Sequence, residues 1–238
     1  MKKQRHLNHV PILIIIVFLC SLVIQLSFQL LNLKNNLKHT PLPKVPTQNI
    51  LNLQNFGDSV AAARLWILWL QSYHFQKGQN IRNNNINYNN LTAWLKAILN
   101  QDSATQYPLF LASYQYILVK NPQKQRQVLE FIYQQFFINP KQRWRWLAQA
   151  AIIAKHRLQD LPLALKYAEI LTIYAPMIPD MPAWSQQMQI FILEDLGELV
   201  QARLLIGGLL TNRHITDPDE VAFLNEKLKA LESISPKY

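Results

Sequence analysis

NPKQRWRWLAQAAIIAKHRLQDLPLALKYAEILTIYAP, residues 139–176, decides the fold. Apolar residues recur at helical spacing on both sides of a polar break at Gln159 and Asp160. Pro140 and Pro162 stand where a helix should begin, and the fixed φ and missing N–H of proline suit a first turn. Asn139 precedes the first of them as a cap. The spacing predicts helices over 141–158 and 161–174.

The same punctuation extends outward. Pro122, Pro182 and Pro218 open further periodic stretches, and Asn121 and Asp217 are their candidate caps. Helices are predicted over 58–76, 90–101, 107–120, 122–138, 182–196, 198–211 and 218–232. The 238-residue chain has only five glycines, and strand-type turn signals are sparse. Ala62, Trp66, Trp69 and Tyr73 fall on one helical stripe, which predicts core. The Asn-rich run 80–90 suits a solvated loop, because asparagine favours turns and caps. Adjacent Gly207 and Gly208 inside a helical pattern suggest close helix packing.

At the other end, residues 10–31 read VPILIIIVFLCSLVIQLSFQLL, with no charge. This exceeds the roughly 20 residues that cross a bilayer as a helix. No small-residue cleavage site follows, so an anchor is expected rather than a removed signal. Leu19, before the lone Cys20, argues against lipidation, and one cysteine permits no internal disulfide. The expected organisation is a basic tail over 1–9 (Lys2, Lys3 and Arg5), a transmembrane anchor over 10–31, a proline-containing tether over 32–56 and a helical domain over 57–238. A short basic tail before the first helix favours a cytoplasmic N-terminus, with the domain outside.

Helix ends marked by Asp102, Pro140 and Pro176 recur at steps of 38 and 36 residues, near the roughly 34 of a tetratricopeptide repeat. Asp160-Leu-Pro-Leu-Ala164 with Ala168, and Gly197-Glu-Leu-Val-Gln-Ala202 with Ile206, look like the turn and second helix of such repeats. Trp184 and Phe191 are spaced like the large residues of a first helix, although Gln187 and Met188 replace the small residue between them. The chain therefore resembles degenerate tetratricopeptide-like arrays, over 102–212 above all. With Trp66, Trp69 and Tyr73 it is similar to membrane-anchored tetratricopeptide-like proteins of bacteria. That resemblance implies an all-α solenoid of antiparallel helix pairs, tethered to the bacterial inner membrane with its domain in the periplasm. It implies a protein-binding scaffold whose first helices line a groove.

Net charge is +10, unevenly placed. Residues 1–166 carry nineteen Lys/Arg against four Asp/Glu, and residues 167–238 carry five against ten. Such asymmetry suggests an anionic partner for the basic part. Lys141, Arg143 and Arg145 stand at a helix start, where the macrodipole disfavours cations by a few tenths of a kcal/mol. That cost points to binding, and Arg143, Arg145 and Lys155 are the candidate partner contacts. Trp144 and Trp146 beside them resemble a stacking surface for single-stranded nucleic acid. A domain outside the membrane never meets the chromosome, which argues against that partner.

The six histidines are scattered, and no H-E-x-x-H, phosphate loop or G-x-S-x-G elbow occurs. Glu194, Asp195 and Glu198 form an acidic cluster suited to a solvated helix end. No catalytic residue, metal site or cofactor is expected, and the chain is not read as an enzyme. The expected partners are the membrane and an unidentified protein. Rival readings are an envelope enzyme or glycan-binding factor with an unrecognised site, and a binder of anionic lipid surfaces through the basic helices.

Overall fold

The computed structural model describes residues 11–33, 41–73, 86–179, 181–211 and 217–234. Among them are eleven α-helices and no strand. These are α1 (Ile12–Leu33), α2 (Gln48–Gln54), α3 (Ser59–Ser72), α4 (Tyr88–Gln101), α5 (Tyr107–Tyr114) and α6 (Pro122–Ile138). There follow α7 (Pro140–His156), α8 (Leu161–Tyr174), α9 (Trp184–Asp195), α10 (Leu199–Thr211) and α11 (Pro218–Ile234).

The starts are set locally. Asp58, Asn87, Asn121, Asn139 and Asp160 each turn a side-chain oxygen onto a backbone N–H two or three residues on. That satisfies donors the first turn leaves free. Between α9 and α10, Gly197 takes φ +78°, and the N–H of Glu198 reaches back to the carbonyl of Leu193 at 2.9 Å. This closes α9 with a left-handed residue that glycine adopts without a Cβ penalty.

From α6 to α11 each helix packs on the next. Alternate helices lie parallel, as cross-contacts between like ends show. Lys124 Nζ of α6 donates to the Ile86 carbonyl at the head of α4, and Gln127 Nε2 donates to Asn89 Oδ1. Arg126 pairs with Asp160 at the head of α8, and the Tyr133 and Tyr167 rings meet at 5.4 Å. In the other layer Trp146 Nε1 of α7 donates to Gln106 Oε1, which precedes α5, at 2.7 Å. Trp144 meets Trp184 of α9 at 5.8 Å, and Phe191 meets Phe223 of α11 at 6.2 Å. Helices α4, α6 and α8 thus form one layer, and α5, α7, α9 and α11 the other.

The interior divides in two. The larger core runs from Leu42 to Ile192, and the smaller gathers Ile190, Leu193, Ala202, Ile206, Leu209, Leu224 and Leu231. Leu165 packs against both. Buried Tyr88, Tyr116 and Tyr167 have their pKa values raised, chiefly by desolvation. The folded state keeps phenol protons that an unfolded chain releases near pH 10. Stability is therefore full below pH 10 and is lost as pH climbs toward the folded-state values. The urea midpoint should fall between pH 9.5 and about 11, and a midpoint flat across that range refutes the coupling.

Several expectations change. The predicted helix 107–120 breaks at Gln115, followed by one 3₁₀ turn, Tyr116–Leu118. Tertiary donors capture the carbonyls there: Tyr88 Oη donates to Tyr116 O at 2.7 Å, and Gln125 Nε2 to Ile117 O and Val119 O. A Cβ added at Gly207 or Gly208 meets nothing within 4 Å, so close packing is not their role. Gly208→Ala should raise stability by about 0.5–1 kcal/mol, read as a higher urea midpoint.

The described part of the expected tether, 41–56, is docked rather than free. Leu42 and Leu51 are buried in the larger core. Asn90 Nδ2 donates to Leu42 O, Trp94 Nε1 to Pro43 O at 2.9 Å, and Tyr73 Oη to Pro41 O. These donors hold carbonyls of the proline-containing start of the stretch, which is not helical, whereas its later part forms α2 (Gln48–Gln54), a helix the expected tether did not include. The described residues 41–56 therefore pack with the helical body expected from Gly57 onward. Trp94→Phe should cost about 1 kcal/mol and speed proteolysis within 41–56; unchanged cleavage there excludes the docking.

The basic tail 1–9, the first part of the tether and most of the Asn-rich run lie outside the described residues. Among the described residues no helix is long and apolar enough to cross a membrane. Helix α1 itself runs 22 residues, but its side chains are described only through Phe28.

Candidate partner-binding face

The three residues singled out by sequence have separate fates. Arg143 is not a surface contact: it is 2% exposed. Its Nη1 donates to both O and Oε1 of Gln135, at 3.0 and 2.9 Å, and Nη2 donates to Ser103 O at 3.4 Å. Desolvation lowers its pKa. The cation near the start of α7 serves as an internal brace, tying α7 to α6 and to the α4–α5 turn. Arg145 is exposed, with its guanidinium 5.2 Å from the Trp144 ring. Lys155 is partly buried and pairs with Asp195 at 2.7 Å. Trp144 is buried and Trp146 half-buried, so neither forms an open stacking platform.

What sequence reasoning missed is the aromatic stripe on α5. Tyr107, Phe110 and Tyr114 are each exposed, and successive rings lie 5.7 and 5.0 Å apart. Their i, i+3, i+7 spacing was available as a signal. Phe110 also meets Trp146 of α7 at 6.4 Å. Next along this layer come Arg145 and Ile152, exposed on α7. Between α7 and α9 lies a hollow of about 170 Å³, lined by Ala151, Ile152, Met188, Phe191, Lys155 and His156. Its apolar floor suits one apolar side chain, while Lys155 on the rim is already engaged by Asp195.

The opposite layer differs. A cleft of about 450 Å³ between α4 and α6 is lined by Asn89, Thr92, Lys96, Arg126, Glu130 and Gln134, among others. Arg126 is already paired with Asp160. The acidic cluster of α9 is likewise engaged, with Asp195 on Lys155 and Glu194 on Lys227 at 2.8 Å. Among the described residues no three metal-ligating side chains converge.

No protein-family model, curated protein or solved structure matches this chain.

Proposed function

We propose that this protein is a scaffold of the bacterial envelope, anchored by α1 in the inner membrane with its helical body in the periplasm. The body holds an amphipathic peptide or helix of a partner protein on the α5/α7/α9 face, as a tetratricopeptide-like groove does. The observation that carries this reading is the exposed stripe Tyr107–Phe110–Tyr114 leading toward the α7–α9 hollow on one layer. Aromatic rings offer large, rigid contact area, as the anchors of interfaces do. Alternate helices lying parallel, with caps Asn87 and Asn121 at a 34-residue step, support the repeat-like reading. The anchor rests on the uncharged run 10–31, longer than the roughly 20 residues a bilayer needs.

Photocrosslinking in intact cells tests the proposal. A photoreactive residue at Phe110 or Arg145 should give one discrete protein adduct, absent when the probe replaces Lys166 on the other layer. Tyr107→Ser with Tyr114→Ser should remove most of that adduct. Equal labelling from both layers, or lipid adducts from Phe110, refutes the groove.

A further inference from the structure

The N-terminal edge of the helical body is apolar where a solenoid end should be polar. End units of a stacked array need a polar outer face to stay soluble. Helix α3, which packs on α4, instead exposes Leu65 (64%) and Leu68 (62%), together with Val60 and Ala61. Ala61, Leu65 and Leu68 follow i, i+4, i+7 and so form one stripe along the helix. The last turn of α2 adds Leu53 at 78% exposure, and the turn leading into α3 adds Phe56 at 96%. Phe56 holds φ +48°, a left-handed conformation that a bulky residue adopts at a cost. A strained turn that presents a bare aromatic ring is a feature a free surface does not call for.

Chain length limits what lies nearby. Only residues 34–40 separate the end of α1 from Pro41, which the Tyr73 hydroxyl pins beside the end of α3. Fully extended, that link spans less than about 30 Å. Helix α3, with 14 residues, is about 21 Å long. The link thus keeps Pro41 within about 30 Å of the end of α1, and the element beside that point of attachment is the one with the apolar face. Lys44, three residues past Pro41, and Arg64, on α3, are exposed cations that anionic headgroups attract.

We infer that the outer face of α3 and the Phe56 turn rest in the membrane interface, seating the body directly on the bilayer that holds α1. This rests on the reading of α1 as an anchor. Seating turns a loosely tethered body into one with a fixed edge toward the lipid. A face seated this way lies about 5–10 Å into the headgroup–acyl boundary.

The test uses the full chain with Cys20→Ser, in vesicles of zwitterionic and anionic phospholipid. Phe56→Cys, Leu65→Cys and, as the control on α8, Lys166→Cys each carry an environment-sensitive fluorophore. Lipids with a shallow nitroxide should quench the labels at 56 and 65 several-fold more than the label at 166, while aqueous iodide shows the reverse order. Alkaline carbonate extraction, run in parallel, reports the anchor. Iodide quenching at 56 and 65 equal to that at 166, with the chain still in the pellet, overturns the seating and leaves the anchor standing. Labels shielded from both quenchers overturn it in favour of a protein cover, such as a second copy. Release of the chain by carbonate overturns both readings.

Discussion

Arg143→Ala should lower the stability of the helical body by about 3 kcal/mol. The arginine is the largest of the fully buried side chains, and three acceptors depend on it: two on Gln135 and the carbonyl of Ser103. Removing the guanidinium leaves the two buried acceptors of Gln135 without this donor, at about 1–3 kcal/mol each. Truncation also empties the volume of its stem, which adds a cavity cost. Relief of the cation's desolvation offsets part of this, and the net stays well above zero. For a body of this size the loss corresponds to a drop of roughly 6–12 °C in Tm. Arg143→Met, which refills the volume without donors, should fall between the parent and Arg143→Ala. Arg145→Ala, at an exposed position two residues on, should change stability by less than about 0.5 kcal/mol. Thermal and urea melts of the three variants decide the matter. Equal effects at 143 and 145 end the account of Arg143 as a brace. The brace also bears on the proposed partner face, since Ser103 lies in the turn that leads to Gln106, the acceptor for Trp146.

Deleting residues 218–238 should open the smaller core while leaving the larger one folded. Leu224 and Leu231 of α11 are fully buried against the smaller core, which spans α9 and α10. Large-to-small changes at such positions cost about 2–5 kcal/mol each, and deletion removes both at once. Lys227, paired with Glu194, goes with them. In a stacked array each unit leans mainly on its neighbours, so the damage should stay local. Hydrogen exchange should show α9 and α10 losing protection while α4, α6 and α7 keep theirs. Leu224→Ala alone should show a weaker form of the same pattern. Protection of α9 and α10 equal to that of the parent contradicts the role of α11 as the cover of the second core. Uniform loss across all helices contradicts the division into two cores.

The fate of particular residues shows where local reading stops. The starts of α6, α7 and α8 were legible because Asn121, Asn139 and Asp160 bond to amides only three residues away. Such bonds need no knowledge of the rest of the chain. The end of α5 was not legible, because its capturing donors come from Tyr88 and Gln125. Nor was the docking of 41–56, whose prolines resemble a spacer until Asn90 and Trp94 supply donors 48 and 51 residues further on. On the proposed partner face, the i, i+3, i+7 spacing of Tyr107, Phe110 and Tyr114 was present in the sequence but was not read as a stripe. Only the packing left that stripe uncovered while Trp144 went inside.

Sequence by itself determined that this protein is helical, where most helices begin, and that an uncharged run of 22 residues lies near its N-terminus. Capping, proline geometry and periodicity act within a few residues, so they are visible along the chain. Tertiary structure alone decided that Arg143 faces inward, that residues 41–56 dock on the body, and which layer carries the exposed rings. Those outcomes turn on acceptors and partners brought together by folding, as when Ser103 meets Arg143 from 40 positions away. No local pattern of charge or hydrophobicity encodes that meeting.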